Sequence, residues 1–175
     1  FLGAGLLADV FFVAFRIPNT FRRLFSEGTF NAAFVPSYSS LLDNKKTSQK
    51  FANNIFTLLI IGLLFLVFVI EMLMPLFVFL IAPGFEDNYQ KMELAITLTR
   101  ITFPFLMFIS LASFFSAILN SHNKFAIASA SPIILNILLI GVLFFGKILD
   151  DKLVYYLSYA VAISGVLQFI FLYFF

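Results

Sequence analysis

The chain has 175 residues, 62% of them hydrophobic and 11% charged, with a net charge of +2 and no cysteine. Soluble domains carry roughly 25% charged residues, so a water-soluble globular fold is excluded. Long continuous apolar runs exclude a membrane β-barrel, whose strands alternate in short segments, and the missing thiols exclude disulfide and thiolate chemistry. What remains is an all-α, polytopic helical membrane protein, in which the placement of charge matters more than its sum.

A membrane-spanning helix needs about 20 predominantly apolar residues, and five runs reach that length. The first, about 4–25, carries Asp9, Arg16, Arg22 and Arg23. Residues 27–42 follow, opening on Glu27-Gly28 and interrupted by Pro36. This segment is too short and too polar to span and reads as an interfacial or re-entrant helix. The second run, about 51–82, is the longest and is ended by Pro83-Gly84. The third covers about 92–119, the fourth about 125–146 and the fifth about 153–175. The chain begins at Phe1 and ends inside an apolar run, so it reads as a fragment of a larger bundle.

Lysine and arginine near span ends set orientation. Arg22, Arg23, Lys45, Lys46 and Lys50 cluster around the first turn-back, and Lys124 lies in the next loop of the same parity. The opposite loops, 84–91 and 146–152, balance their lysines with Glu86, Asp87, Asp150 and Asp151. The basic side is therefore expected in the cytoplasm. Pro18, Pro75, Pro104 and Pro132 fall within or at the edges of the apolar runs. Each removes a backbone donor and frees the carbonyl four residues earlier. In lipid that carbonyl must find another partner. Several such bends in one bundle suit a transporter with broken helices, although packing kinks alone would leave the same trace.

The first run holds the charge. An ionised side chain at mid-membrane costs at least about 2.5–3.5 kcal/mol on insertion scales, so these residues are expected to face a polar cavity or one another. On an ideal helix Asp9, Arg16, Asn19 and Arg23 fall near one face. Arg22 points elsewhere, and the bend at Pro18 leaves the choice between Arg22 and Arg23 open. One reading is a polar stripe whose arginines grip phosphate through paired donors. The other has Arg22 and Arg23 snorkelling to headgroups and Asp9 in an internal ion pair with an arginine on an absent helix. Elsewhere, Arg100 is expected to pair with Glu93 two turns back, and Glu71 has no obvious local partner. Asn120, Asn136 and Gln168 suit interhelical hydrogen bonds, while His122 and Asp150-Asp151 read as solvated loop residues. No nucleophile–base pair, metal-ligand spacing or phosphate loop is present, so the chain reads as neither an enzyme nor a cofactor-binding protein, and nothing in it points to nucleic acid.

The stretch Ala8-Asp9-Val10-Phe11-Phe12-Val13-Ala14-Phe15-Arg16-Ile17-Pro18-Asn19, continued by Arg22-Arg23-Leu24-Phe25, Glu27-Gly28 and Ala33-Phe34-Val35-Pro36, closely resembles the second-helix signature of the MurJ/MviN family. Ala82-Pro83-Gly84-Phe85, Ile101-Thr102-Phe103-Pro104, Ser131-Pro132-Ile133-Ile134-Leu135-Asn136 and Gly165-Val166-Leu167-Gln168 follow in the family's order. The resemblance implies a flippase of the MOP exporter superfamily. Such a protein moves lipid II, the undecaprenyl-pyrophosphate-linked peptidoglycan precursor, across the bacterial cytoplasmic membrane by alternating access. The chain would be a partial MOP/MATE-like bundle, roughly helices two to six. Its cavity residues would include Asp9, Pro18, Asn19 and Arg22, with Glu27 at the turn after that helix. Lipid II, membrane lipids and cell-wall synthesis proteins are the implied partners. The competing expectations are an exporter of another polyprenyl-linked saccharide, a drug/cation antiporter of the same superfamily, and a non-transporting cell-wall scaffold.

Overall fold

The computed structural model describes residues 5–27, 29–149 and 152–175. Among them the chain is all helix and loop. Helices α1 (Leu6–Glu27), α2 (Thr29–Ser39), α3 (Lys45–Met72) and α4 (Met74–Ile81) come first. A 3-10 turn, Pro83–Phe85, leads to α5 (Tyr89–Thr102), α6 (Phe105–Ser121), α7 (Phe125–Ala130), α8 (Ile133–Phe144), α9 (Gly146–Leu149) and α10 (Leu153–Phe174). Four stretches of the described residues are long and apolar enough to cross a membrane: Lys45–Met72, Tyr89–Ser121, Phe125–Phe144 and Leu153–Phe174. The charged helix α1, 22 residues long, is not among them.

Local chemistry explains where the helices start and stop. The apolar run beginning near residue 51 is preceded by six more helical residues. Asn44 caps that end, its side chain accepting from the Thr47 N–H at 3.2 Å, and Lys45, Lys46 and Lys50 are good helix formers. The same run breaks at Leu73, and Pro75 sits in the first turn of α4, where a missing N–H does no harm. Asn88 caps α5 in the same way, accepting from the Lys91 N–H at 3.1 Å. Pro104 divides the third run into α5 and α6, and Pro132 divides the fourth into α7 and α8. The end of α6 is closed by Asn123 at φ 60°. Its N–H reaches the Asn120 carbonyl at 3.0 Å, and the Lys124 N–H reaches that of Leu119 at 2.9 Å. This is the double closure a left-handed residue provides.

The core lies between α6 and α10, with α5 and α1 packed beside them. Phe103, Phe105, Leu106, Leu157 and Val161 are buried there. Gly165 permits the close approach of α10, because a Cβ at that position would stand 2.8 Å from Phe105 Cδ2 and 3.3 Å from the Phe105 carbonyl oxygen. A second, aromatic cluster ties α2 to α3 and α6. The Phe34 ring stacks on Tyr38 at 5.3 Å and tilts against Phe114 at 5.2 Å, with Ala52 and Ala117 completing the contact. By contrast α3 buries few residues, and its Leu58, Phe65 and Phe68 are exposed.

Candidate functional site

Helix α1 has two unlike sides. Ala8, Phe11, Ala14 and Pro18 are buried, whereas Asp9, Phe12, Arg16, Thr20 and Arg23 are exposed. Steps of three and four residues place each set on one face. The apolar face packs against α5 and α6, so the charged residues are left on the other side. Asn19 is half-buried at the edge between them. The side chains of Arg22 and Glu27 lie outside the described residues, as do Gly28, Asp150 and Asp151.

Pro18 interrupts the hydrogen bonding of α1 without leaving the Ala14 carbonyl unpaired. It has no N–H for the Ala14 carbonyl, four residues earlier, and Ala14 is fully buried. The missing donor comes from α5: the Thr102 hydroxyl donates to the Ala14 oxygen at 2.8 Å, sharing its proton with the Thr99 carbonyl at 3.1 Å. Thr102 is itself completely buried. On the exposed side Thr20 donates to the Arg16 carbonyl at 2.8 Å. The backbone acceptor that Pro18 leaves open in α1 is thus satisfied by a hydroxyl on a neighbouring helix.

Asp9 is engaged by a lysine. Lys91 Nζ, in the first turn of α5, donates to Asp9 Oδ2 at 2.8 Å and lies 4.3 Å from the centroid of the Phe85 ring. The Asp9 side chain is 58% exposed, so the pair contributes at most about 1 kcal/mol and orients the carboxylate more than it stabilises the fold. Arg100 corrects an expectation. Its Nε lies 4.0 Å from Glu71 Oε2, across to α3, rather than pairing with Glu93. Glu93 is two turns away along the same helix, about 10 Å, while the end of α3 runs alongside Arg100. His122 is exposed but not merely solvated, because the Tyr38 hydroxyl stands 3.5 Å from its Nε2 and the rings meet edge-on. Burial raises the Tyr38 pKa above its usual value.

The residues that sequence reasoning missed are Thr102, Lys91 and Tyr38. For Thr102 a partial signal existed: Pro18 announces a carbonyl in need of a donor, but not which helix supplies it. Chemically, the exposed face of α1 offers guanidinium groups and one oriented carboxylate. Arginine forks suit phosphate oxygens. Among the described residues no group of His, Cys, Asp or Glu is placed to hold a metal ion.

Comparison with known proteins gives a consistent result. The family described as lipid II flippase MurJ matches residues 1–175. A probable lipid II flippase MurJ from Rhizobium tropici is 43% identical over 173 residues, covering 95% of this chain and 32% of that protein. The lipid II flippase MurJ of Burkholderia cenocepacia is 36% identical over 170 residues, covering 96% of this chain and 33% of that protein. A solved structure of lipid II flippase MurJ in an inward closed conformation superposes with a TM-score of 0.77 at 28% identity, covering 96% of this chain and 35% of its own. The chain therefore spans about a third of the length of these relatives. With a family match along its whole length and four apolar spans, this multi-pass membrane chain belongs to the lipid II flippase MurJ family.

Proposed function

We propose that this chain forms the charged wall of a flippase that carries lipid II from the inner to the outer leaflet of the bacterial cytoplasmic membrane by alternating access. One observation carries the reading. Helix α1 buries an apolar face in the bundle and turns Asp9, Arg16 and Arg23 outward. Charge on a membrane helix points to a solvated pathway, and a pyrophosphate headgroup needs cationic forked donors in a low-dielectric space. Arg22 and Arg23 receive the pyrophosphate and Arg16 extends the cationic track. Asn19 and Glu27 bind the uncharged part of the headgroup. Pro18 sets the bend that brings these side chains together, and Asp9 exchanges Lys91 for a cavity cation as the pathway changes its access. The polyprenyl tail stays in lipid. Enzymes that polymerise the translocated precursor are the expected protein partners.

The test is rescue of a bacterium depleted of its own lipid II flippase by the full reading frame. Each charge-assisted hydrogen bond removed costs about 1.5–3 kcal/mol, so Arg22→Ala and Arg23→Ala together should lower translocation by about a hundredfold or more at equal membrane abundance. Asp9→Asn should slow turnover with little loss of substrate binding. Rescue at the wild-type level by the double arginine variant would remove α1 from headgroup recognition.

A further inference from the structure

Gln168 presents a problem that the proposed transport reading does not use. It lies in α10, is fully buried, and its Oε1 accepts from the Ser131 hydroxyl at 3.2 Å. Its Nε2 is buried with no hydrogen-bond partner among the described residues. A buried amide donor left unmade costs about 1–3 kcal/mol, and membranes offer no bulk water to repair it. A second polar group nearby lacks its usual helical donor. Pro132 has no N–H for the Ala128 carbonyl, four residues earlier. Both residues line the same narrow crevice as Gln168, together with Ser113, Ser116 and Ser131. The crevice has a volume of about 20 Å³. A water needs roughly 10–15 Å³ and two to four polar partners.

We propose that this crevice is a hydration site inside the bundle, where one water molecule accepts from Gln168 Nε2 and donates to the Ala128 carbonyl, with the serine hydroxyls as its remaining partners. The water joins α10 to the break between α7 and α8 and supplies the donor that Pro132 withholds. At Pro18 a threonine hydroxyl does this directly. At Pro132 the Gln168 side chain on the same crevice presents a donor and the carbonyl needs one, and water relays between them. Volume and donor balance both favour water over a cation, because a crevice for one water has no room for a hydrated ion and an amide N–H repels positive charge.

Hydroxyl-radical footprinting of the full-length protein in nanodiscs reads this site, since radiolysis of bound water labels the side chains beside it even when they are buried. Leu172 lines the crevice and is 2% exposed. It should be labelled in the wild type and lose that labelling in Gln168→Leu. An unlabelled Leu172 in the wild type, or equal labelling in a folded Gln168→Leu protein, would overturn the proposal. Replacing sodium with N-methylglucamine should leave the labelling unchanged; its disappearance would assign a cation instead and overturn the hydration site. A high-resolution structure of the wild-type protein gives a readout that needs no variant. Density within hydrogen-bonding distance of Gln168 Nε2 is expected, and an amide satisfied only by protein atoms would refute it.

Discussion

Replacing Thr102 by valine keeps the side-chain shape and removes one hydroxyl. That hydroxyl is the donor to the Ala14 carbonyl at 2.8 Å, and both residues are fully buried. An acceptor left unsatisfied in a core costs about 1–3 kcal/mol. Interhelical hydrogen bonds in membranes average only about 0.6 kcal/mol and reach about 1.7 kcal/mol, because a chain separated in the bilayer finds other partners. Here Pro18 denies the Ala14 carbonyl its helical donor in the separated helix as well. The upper part of the range applies, about 1–2 kcal/mol. A double-mutant cycle isolates the cause. Pro18→Ala supplies an N–H to the Ala14 carbonyl, so Thr102→Val should cost less in that background, with a coupling of about 1 kcal/mol. Thr97→Val is the control, since the exposed Thr97 hydroxyl donates only within its own helix, to the Glu93 carbonyl at 3.0 Å. Reversible unfolding of the full-length protein in mixed micelles, titrated with SDS, measures all four corners. Additivity to within about 0.3 kcal/mol would show that the bend in α1 does not depend on Thr102.

Gly165→Ala should destabilise by about 1–3 kcal/mol through overpacking, because the new methyl would meet Phe105 Cδ2 at 2.8 Å and Phe108 Cβ at 3.2 Å. The thermal midpoint in detergent should fall, whereas Gly141→Ala, with nothing within 4 Å, should hold or raise it. Asn123 has φ 60°, where a β-branched side chain costs at least about 1–2 kcal/mol. Asn123→Val should therefore lower the midpoint, and Asn123→Gly should match or exceed the wild type.

Much of this architecture is legible in the chain because membranes impose a simple rule on backbone and charge. The last four apolar runs coincide with the spans while the charged first run does not, and Pro104 and Pro132 mark the breaks within them. The charged face of α1 follows from residue spacing alone. What sequence could not supply is partnership across space. Arg100 finds Glu71 on α3 rather than Glu93 on its own helix, since the approach of α3 is decided by packing many residues away. Lys91 reads as a loop lysine balanced by Glu86 and Asp87, yet the fold brings it to Asp9. The start of α3 at Lys45 was hidden for another reason. A capped helix can run on in polar residues, and hydropathy reports only the apolar part of its length.

The bond between Thr102 and Ala14 joins two bends, since Thr102 stands two residues before Pro104 and Ala14 four residues before Pro18. Each residue of an α-helix turns the next by about 100°. Inserting or deleting one residue between Ala14 and Thr102's neighbours on either helix would swing the hydroxyl or the carbonyl away by that angle. A proline moved along α1 would free a different carbonyl, which the Thr102 hydroxyl does not reach. The bond therefore acts as a register mark between α1 and α5, fixing how far each can slide along the other.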